Sequence, residues 1–252
     1  MGSISIDVEG HIAIVTLDRA PINSLVKATY FEIQEAFNKL GEMEDVRVAV
    51  LKANGRFFCP GNDVSEFDGL VTEADAREYG QIVSDGIGAV YSCKIPVVAA
   101  VHGHALGAGM ALAACADVVV ASDEALFGIP EIKVGIIGAS GFLALLVPEK
   151  VVRYLSLTGK SISSQEVERY GGVHKVVPTE KVFDAAMEVA RELLGQGPTA
   201  LRYFKEAMNI NQDARLVEKY ATEGVYTRQY VGTEEFNESV KAFLENRQPD
   251  YG

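Results

Sequence analysis

Two glycine-containing loops in this sequence follow predicted strands directly and bring small residues together. The first loop covers residues 55–63 (GRFFCPGND), and the second loop covers residues 103–109 (GHALGAG). The second loop leads into a predicted helix, and the first N–H groups of a helix lack intrahelical partners and lie at the positive end of its dipole. Glycine also lets a ligand approach the backbone closely. The two loops could therefore direct amide donors at one oxygen that becomes negative during a reaction.

Other glycine motifs fit these residues less well. Residues 107–109 would begin a dinucleotide-binding fingerprint, but Leu112 occupies the position of its third glycine, and the Gly-Lys-Ser/Thr of a P-loop is absent from the sequence. Residues 138–141 resemble a serine nucleophile elbow, yet Phe142 replaces its last glycine and no Asp/His pair accompanies Ser140. Tight turns under close helix–strand packing remain the alternative interpretation of both loops.

The elements that would position these loops follow a repeated order. Alternating apolar residues predict a β-hairpin over residues 4–17, and apolar residues spaced by three and four predict a helix from about Leu25 to Leu40. A strand rich in valine and leucine follows at residues 47–53. Further helices are predicted over residues 74–92 and 108–115, and further strands over residues 96–101 and 117–121. Repeats of this kind predict an α/β fold in which helices pack on a sheet.

The last third of the chain is predicted to be mainly helical. Ser163 and Glu166 have the spacing of a capping box, and a helix with one apolar face follows Thr179. Two or three further helices are expected up to Arg247, with apolar faces that predict packing on another subunit. We see no linker, so we predict one domain, with an active-site core over residues 1–160 and a helical, oligomerising region over residues 161–252.

Composition excludes several classes of function. The formal net charge is −12, so the surface repels phosphate backbones and general nucleic-acid binding is not expected. The three cysteines lack CxxC spacing, which favours reduced thiols and a cytoplasmic location. His102 and His104 have no Cys or carboxylate at ligand spacing, so no metal site is expected. The apolar run 96–101 is too short to cross a bilayer, and no membrane association is expected.

Several short motifs occur in order along the chain. They are PINSL at 21–25, FFCPGND at 57–63, IPVVAAVHGHALGAG at 95–109, FGIPE at 127–131, GI at 135–136, LTG at 157–159 and GVHKVVP at 172–178. The second is similar to a first oxyanion loop (F-x-A-G-x-D), the third to a second oxyanion loop, and the fourth to an F-x-x-P-E segment. Each motif is weak alone, but together they resemble the enoyl-CoA hydratase/isomerase (crotonase) superfamily over nearly the whole chain.

The resemblance implies a fold, a substrate and an assembly. The expected fold is a crotonase-like spiral of ββα units with a helical C-terminal trimerisation region, assembled as a homotrimer or a dimer of trimers. The substrate is an acyl-CoA thioester, whose CoA is part of the substrate, and no separate cofactor is expected. The family's oxyanion amides fall on the backbone N–H groups of Asn62 and Ala108. Because these donors are backbone groups, both side chains are expected to vary without loss.

Neighbouring residues complete the site that the resemblance implies. The residues expected to contact the substrate flank the donors or the acid, and they are Gly61, Asp63, Gly107, Gly109 and Pro130. The CoA phosphates and adenine are expected at a local basic site, with Arg56 and Lys27 as candidates.

The acid/base residues depart from the hydratase pattern. Hydratases of the family use two glutamates, of which the second falls on Glu131. The first falls on Ala111, which cannot transfer a proton, and an acid used by some relatives near Ala139 is also missing. Glu131 is therefore the one carboxylate in its expected place.

A single carboxylate beside an oxyanion hole suits a proton shuttle. Glu131 would take a proton from C2 of a 3-enoyl-CoA and return it to C4, while the two amides hold the dienolate. Burial beside Phe127, Ile129 and Ile132 would raise the pKa of Glu131 and suit it to both steps. Isomerisation of a 3-enoyl-CoA to a 2-enoyl-CoA is the leading hypothesis.

Two other functions remain open. Glu131 could activate water for hydration, dehydration or another CoA-thioester lyase reaction, with help from one further residue. The candidates for that residue are Asp63, Glu66, Tyr79, Ser140 and His104. Alternatively, the chain is a non-catalytic acyl-CoA binder, although the two intact oxyanion loops and Glu131 argue against it.

Overall fold

The strands of this computed structural model form two sheets. The described residues are 2–69, 73–134, 138–211, 233–235, 238, 241–242, 245, 247 and 249–251. The strands within them are β1 Ile4–Glu9, β2 Ile12–Leu17, β3 Val48–Ala53, β4 Val97–Val101, β5 His104–Leu106, β6 Val118–Ser122, β7 Leu126–Gly128, β8 Ser161–Ser163 and β9 Lys175–Val177. The large sheet has the order β1-β2-β3-β4-β6-β9, and the small sheet has the order β5-β7-β8.

Eight helices lie within the described residues. They are α1 Lys27–Leu40, α2 Glu73–Tyr91, α3 Ala108–Ala114, α4 Ser140–Leu143, α5 Glu149–Thr158, α6 Ser164–Arg169, α7 Val182–Leu194 and α8 Pro198–Asn211. Short 3-10 segments cover Val64–Gly69, Pro130–Val134 and Thr179–Lys181. The prediction of an α/β fold is confirmed. No described helix has both the length and the apolar run that a bilayer span requires.

Strand polarity follows from the connections. β1 and β2 are antiparallel across the Gly10 turn, whereas β2, β3, β4, β6 and β9 are parallel neighbours. Two strands leave the large sheet for the small one: β4 continues into β5, and β6 continues into β7, which pair in parallel. The chain therefore passes from the large sheet to the small sheet twice, and β5, the first strand it enters, is part of the second loop.

The central strands β2, β3 and β4 of the large sheet are buried on both faces. In β3, Ala49 and Leu51 belong to the cluster beneath α1, α2 and α3, whereas the alternate residues Val48 and Val50 face α7. Side chains of a strand point alternately to opposite faces, so a strand covered on both sides reads as a continuous apolar run. This burial fixes the ends of β3 and β4, from which the two glycine-containing loops emerge.

Three sequence predictions need correction. The first helix begins at Lys27 rather than Leu25, because Leu25 forms a parallel bridge with Asn62. Residues 104–106, which we treated as part of a loop, form β5. The apolar face of α7 packs on the large sheet of its own chain, not on another subunit.

Other C-terminal predictions have a clearer outcome. The capping box of Ser163 and Glu166 is present at the start of α6. Of the further helices expected up to Arg247, α8 is present, and residues 212–232 lie outside the described residues. Lys205 of α8 reaches under the sheet, where its ammonium lies 2.7 Å from the Asp117 carboxylate and 3.2 Å from the Ile95 carbonyl oxygen.

Candidate active site

The first loop is held between two other segments of backbone. On one side, the Leu25 N–H donates to the Gly61 carbonyl and the Asp63 N–H donates to the Leu25 carbonyl, both at 2.8 Å. On the other, Cys59 exchanges hydrogen bonds of 2.9 and 3.0 Å with β5 of the second loop. The Gly61–Asn62 peptide is trans, so its C=O and N–H point in opposite directions. Since the Gly61 carbonyl faces Leu25, the Asn62 N–H points away from it.

The two loops meet at Gly61. Its φ of 106° belongs to the region that favours glycine. A Cβ at this position would lie 3.1 Å from the Leu106 carbonyl oxygen and 3.6 Å from the Ala108 nitrogen. No side chain separates the loops here, so Gly61, whose peptide carries the Asn62 N–H, lies against the Ala108 amide.

Ala108 is the first residue of α3, and a glycine turn sets its orientation. Gly107 has φ 54° and ψ −123°, and its N–H donates to the Gly128 carbonyl at 2.8 Å. Among the described residues, neither the Asn62 nor the Ala108 N–H donates a hydrogen bond to the protein. Two backbone amides on adjoining loops that lack protein acceptors are suited to bind an external oxygen.

Gly109 is required for close packing. A Cβ on Gly109 would lie 2.6 Å from the Cys59 Cβ. The first turn of α3 therefore rests directly on the first loop. The close helix–strand packing that we considered as an alternative is present, and it is what brings the two amides together.

Glu131 lies beside the second loop. It follows Pro130 at the start of the 3-10 segment after β7. A Cβ on Gly107 would collide with the Glu131 Oε1 and would lie 3.1 Å from its Cδ, so the carboxylate contacts the residue that precedes the Ala108 amide. The Glu131 Oε2 is buried and has no hydrogen-bond partner within the described part of the chain.

Burial controls the titration of this carboxylate. It raises the pKa of Glu131 above its ordinary value, and a hydrogen bond from the residue's own backbone opposes the shift. Phe127 and Ile129 are buried as predicted, but Ile132 is 47% exposed. The prediction that Ile132 contributes to this burial is wrong, because the 3-10 turn directs it outward.

Sequence reasoning missed a residue of this site. The Tyr30 hydroxyl, on α1, donates a hydrogen bond to the Asn62 Oδ1. Tyr30 is 1% exposed, and burial raises its pKa, with smaller contributions from Cys59 and other groups that include Glu131. Helical periodicity predicts that Tyr30 is buried, but it carries no information about the partner of the hydroxyl.

Asp63 has partners of its own beside the loop. Its carboxylate accepts hydrogen bonds from the Ser65 hydroxyl at 2.7 Å and the Ser65 N–H at 3.2 Å, and it lies 3.4 Å from Arg19. These Ser65 hydrogen bonds lower the pKa of Asp63. Asp63 therefore closes a turn, and its contact with the substrate stays a prediction.

Among the candidates for a second polar group, Tyr79 and Glu66 share a hydrogen bond, and Asp63 lies close enough to influence the pKa of Tyr79. The Glu66 carboxylate accepts from the Lys27 N–H at 2.9 Å, at the start of α1. His104 stacks on Phe57, with ring centroids 4.2 Å apart. Tyr79 is buried, and Ser140 is exposed at the start of α4.

The two candidates for CoA recognition lie over aromatic rings. The Arg56 guanidinium is 4.9 Å from the Phe57 ring centroid, and the Lys27 ammonium is 5.7 Å from that of Tyr79. Either cation could attract a phosphate from such a position.

Ala111 and Ala139 occupy the positions where this chain lacks the acids of its relatives. Ala111 is fully buried in α3, and Ala139 adopts a left-handed conformation (φ 62°) before α4. A cavity of about 820 Å³ is lined by Ala139 and Ser140 together with Tyr91, Gly141, Phe142, Ala144 and Leu145. Its lining includes Ser140, a candidate for a second polar group, but neither Glu131 nor the residues of the two proposed oxyanion amides. The predicted Gly-Ile at 135–136 lies outside the described residues.

Comparison with known proteins decides the family. Residues 7–252 match the profile described as Enoyl-CoA hydratase/isomerase. The chain belongs to this family. Enoyl-CoA hydratase/isomerase family enzymes act on acyl-CoA thioesters, so this chain is an acyl-CoA-processing enzyme.

Two curated relatives carry different names within the enoyl-CoA hydratase/isomerase family. The (7aS)-7a-methyl-1,5-dioxo-2,3,5,6,7,7a-hexahydro-1H-indene-carboxyl-CoA hydrolase of Rhodococcus jostii RHA1 is 36% identical over 219 residues, covering 86% of this chain and 84% of the relative. The carnitinyl-CoA dehydratase of Salmonella enteritidis PT4 is 32% identical over 255 residues, covering 98% and 97%.

Solved structures of the enoyl-CoA hydratase/isomerase family confirm the predicted crotonase fold. The enoyl-CoA hydratase of Bacillus anthracis is 31% identical and superposes with a TM-score of 0.92, covering 99% of this chain and 98% of that one. An enoyl-CoA hydratase subunit from Geobacillus kaustophilus HTA426 is 33% identical, with the same TM-score and the same coverage. In the described ranges, no group of three His, Cys, Asp or Glu residues is placed to hold a metal ion.

Proposed function

We propose that this protein isomerises a 3-enoyl-CoA to a 2-enoyl-CoA, with Glu131 as the proton shuttle and the Asn62 and Ala108 amides as the oxyanion hole. One observation carries the proposal: the Glu131 carboxylate, with a buried oxygen that no described group binds, lies against Gly107, directly before the Ala108 amide. A base and an oxyanion donor are thus neighbours.

The chemistry needs one base and one anion site. Glu131 takes the C2 proton, the C–H electron pair moves into the thioester carbonyl, and the dienolate oxygen accepts hydrogen bonds from the two amides. Protonation at C4 by the same carboxyl group moves the double bond into conjugation and regenerates the carboxylate. Each amide donor contributes roughly 3 kcal/mol in such transition states, and the acid/base residue contributes about 10²–10⁴-fold.

The raised pKa of Glu131 serves both halves of this cycle. A carboxylate that is desolvated is a stronger base for the C2 proton, and its protonated form persists long enough to deliver the proton to C4. The fully buried Ala111 supplies no second carboxylate to activate water. These two features favour proton transfer over water addition.

A second candidate function is addition or removal of water, or hydrolysis, at a CoA thioester. It is supported by the relatives named as a hydrolase and a dehydratase. In this case Glu131 activates the water, and the same two amides hold the thioester oxygen.

The decisive experiment incubates the enzyme with 2-enoyl-CoA, 3-enoyl-CoA and ring-containing CoA thioesters, and reads the products by mass spectrometry and chromatography. Isomerisation changes retention without changing mass, whereas hydration adds the mass of water. Conversion of the 3-enoyl-CoA at unchanged mass supports the proposal, and a product that carries added water as the main outcome supports the second candidate. Binding of every thioester without turnover indicates a non-catalytic binder.

Glu131→Gln tests the shuttle itself, because it retains size and hydrogen bonding but removes the base. We expect turnover to fall by about 10²-fold or more while thioester binding persists. Glu124→Gln is the matched control, since Glu124 is exposed on the turn before β7. Turnover close to wild type in Glu131→Gln refutes the mechanism.

We also propose that the chain forms a homotrimer or a dimer of trimers through the region after about Ser163. Support comes from exposed apolar side chains on α8, where Phe204 is 65% and Met208 is 51% exposed. Light scattering well above micromolar concentration measures the mass. A monomer would contradict this proposal.

A further inference from the structure

The hydrogen bond between Tyr30 and Asn62 joins a helix to the oxyanion loop. Tyr30 lies in the first turn of α1, and Asn62 lies in the first loop, 32 residues further along the chain. Within the described residues, this is the hydrogen bond that the Asn62 side chain makes. Asn62 carries one of the two proposed oxyanion amides. A contact that fixes the Asn62 side chain therefore also restrains the direction of that N–H.

The helices fix the position of the Tyr30 ring. Gly86 of α2 faces it, and a Cβ on Gly86 would lie 2.8 Å from the Tyr30 Cδ1 and 2.9 Å from its Cβ. The two helices therefore approach each other as closely as the ring permits. Helix packing therefore fixes the position of the Tyr30 hydroxyl, and the position of the first loop depends on its hydrogen bond to that hydroxyl.

The loop needs such an anchor. The proposed Asn62 donor belongs to the Gly61–Asn62 peptide, and glycine at position 61 leaves the rotation of that peptide weakly restrained. The Leu25 N–H holds the carbonyl end of this peptide at 2.8 Å. At the other end of the peptide, the Tyr30 hydroxyl of α1 holds the Asn62 side chain. The peptide is therefore restrained at its carbonyl by Leu25, which precedes α1, and at its Asn62 end by Tyr30.

We propose that Tyr30 is a positioning residue that sets the orientation of the Asn62 oxyanion amide through its hydrogen bond to the Asn62 side chain. This inference rests on the proposed oxyanion role of that amide. It also replaces our expectation that the Asn62 side chain varies without loss. Tyr30 does not touch the reacting atoms in this proposal, and it acts only through Asn62.

The Tyr30 hydroxyl can donate its hydrogen bond at any working pH. Burial raises the pKa of Tyr30, so it stays protonated throughout any working pH range. Loss of the hydrogen bond should affect the transition state more than the bound substrate, because the oxyanion charge develops during the reaction. The predicted signature is a lower kcat at nearly constant KM.

The experiment compares wild type, Tyr30→Phe, Asn62→Ala, the double variant and the control Tyr154→Phe, which removes an exposed tyrosine hydroxyl that meets Lys160. The probe is butanoyl-CoA with ¹³C at the thioester carbonyl, a saturated ligand that has no double bond to move or hydrate. Infrared difference spectra report how strongly the bound carbonyl is polarised, independently of turnover. The kcat and KM are measured in parallel on the substrate that the wild type converts.

We expect a carbonyl shift to lower frequency in wild type and in Tyr154→Phe. The shift should be smaller in Tyr30→Phe and Asn62→Ala, and the double variant should lose no more than either single variant. The kcat should fall roughly tenfold at similar KM, since small misplacements of a catalytic group already cost up to about 10²-fold. A wild-type shift that is unchanged in Tyr30→Phe overturns the positioning role but leaves the oxyanion hole intact. Bound thioester without any wild-type shift overturns the oxyanion hole, and this inference with it.

Discussion

The Glu131 carboxylate lies against the Cα of Gly107, the residue that turns the second loop into α3. A methyl group at position 107 would occupy the space of the carboxylate and would also require φ near 54°. The base and the backbone turn are thus mutually dependent.

Gly107→Ala should abolish most of the activity and destabilise the fold. Residues forced into such backbone conformations cost about 1–3 kcal/mol, and displacement of Glu131 should lower kcat by about 10²-fold. Gly10→Ala is the matched control, because Gly10 has φ 59° but no atom near its added Cβ. Urea unfolding should show both variants weakened, whereas steady-state kinetics should show a loss only in Gly107→Ala. Equal kinetics in the two variants would contradict the contact.

Glu131 should reduce stability at neutral pH. Its pKa is raised in the folded state, so the folded protein binds more protons than the unfolded chain between the ordinary glutamate pKa and the raised value. The free energy of unfolding therefore falls as pH rises through that window, and the loss is complete above the raised pKa. Glu131→Gln removes this penalty, and we expect it to be more stable than wild type at pH 7 and no more stable at pH 4.

Urea titrations of both proteins across this pH range measure the effect. The catalytic pH profile should agree with it: kcat/KM should decline on acidification with a midpoint above the ordinary glutamate pKa of 4.5. A midpoint at or below that value, or equal stabilities at pH 7, would show that Glu131 is not desolvated.

Ala111→Glu restores the second carboxylate of the hydratase pattern. Because Ala111 is fully buried in α3, the larger side chain should cost about 1–3 kcal/mol from overpacking. If it folds, we expect the ratio of water addition to isomerisation to rise on a 2-enoyl-CoA. Ala111→Gln adds the same bulk without a carboxylate and should leave the ratio unchanged. A rise in both variants would attribute the effect to shape rather than to proton transfer.

The Lys205–Asp117 ion pair should carry far more stability than the surface pairs. The Lys205 side chain is 3% exposed, and Asp117 also accepts the Val97 N–H at 2.7 Å. Lys205→Met leaves the carboxylate without its counter-charge, for which we expect a loss of about 3 kcal/mol in urea unfolding. Lys175→Met, which breaks a half-exposed pair with Glu188, should cost less than about 1 kcal/mol. Similar losses in the two variants would mean that burial of Lys205 does not matter.

The sequence predicts those parts of the molecule that depend on local pattern. The burial of Tyr30, Ile33 and Phe37 follows from helical spacing, and the capping box at Ser163 follows from residue type. The short strands β5, β7 and β8 are different. Each has three residues, which is too few for alternation to appear, and each exists because it pairs with another.

Sequence motifs predict the backbone segments of the candidate site but not its side-chain contacts. Ordered motifs mark the two loops and Glu131, and the structure brings them together. The bond from Tyr30 to Asn62 and the outward turn of Ile132 depend on tertiary packing and on a 3-10 turn, which no spacing rule describes. For the same reason, sequence spacing does not predict the hydrogen bonds between Asp63 and Ser65.

The two proposed amides belong to different loops, which are joined where Cys59 pairs with Ala105, Gly109 rests on Cys59 and Gly61 meets Leu106. Neither loop alone would supply both amides of the proposed oxyanion hole. A molten globule of this protein, with its helices and strands formed but its packing loosened, would keep its far-ultraviolet dichroism and yet be inert toward thioesters. Such contacts between distant segments also form late and slowly during folding. A nascent chain would therefore acquire its chemistry as one of its final events, after most of its secondary structure already exists.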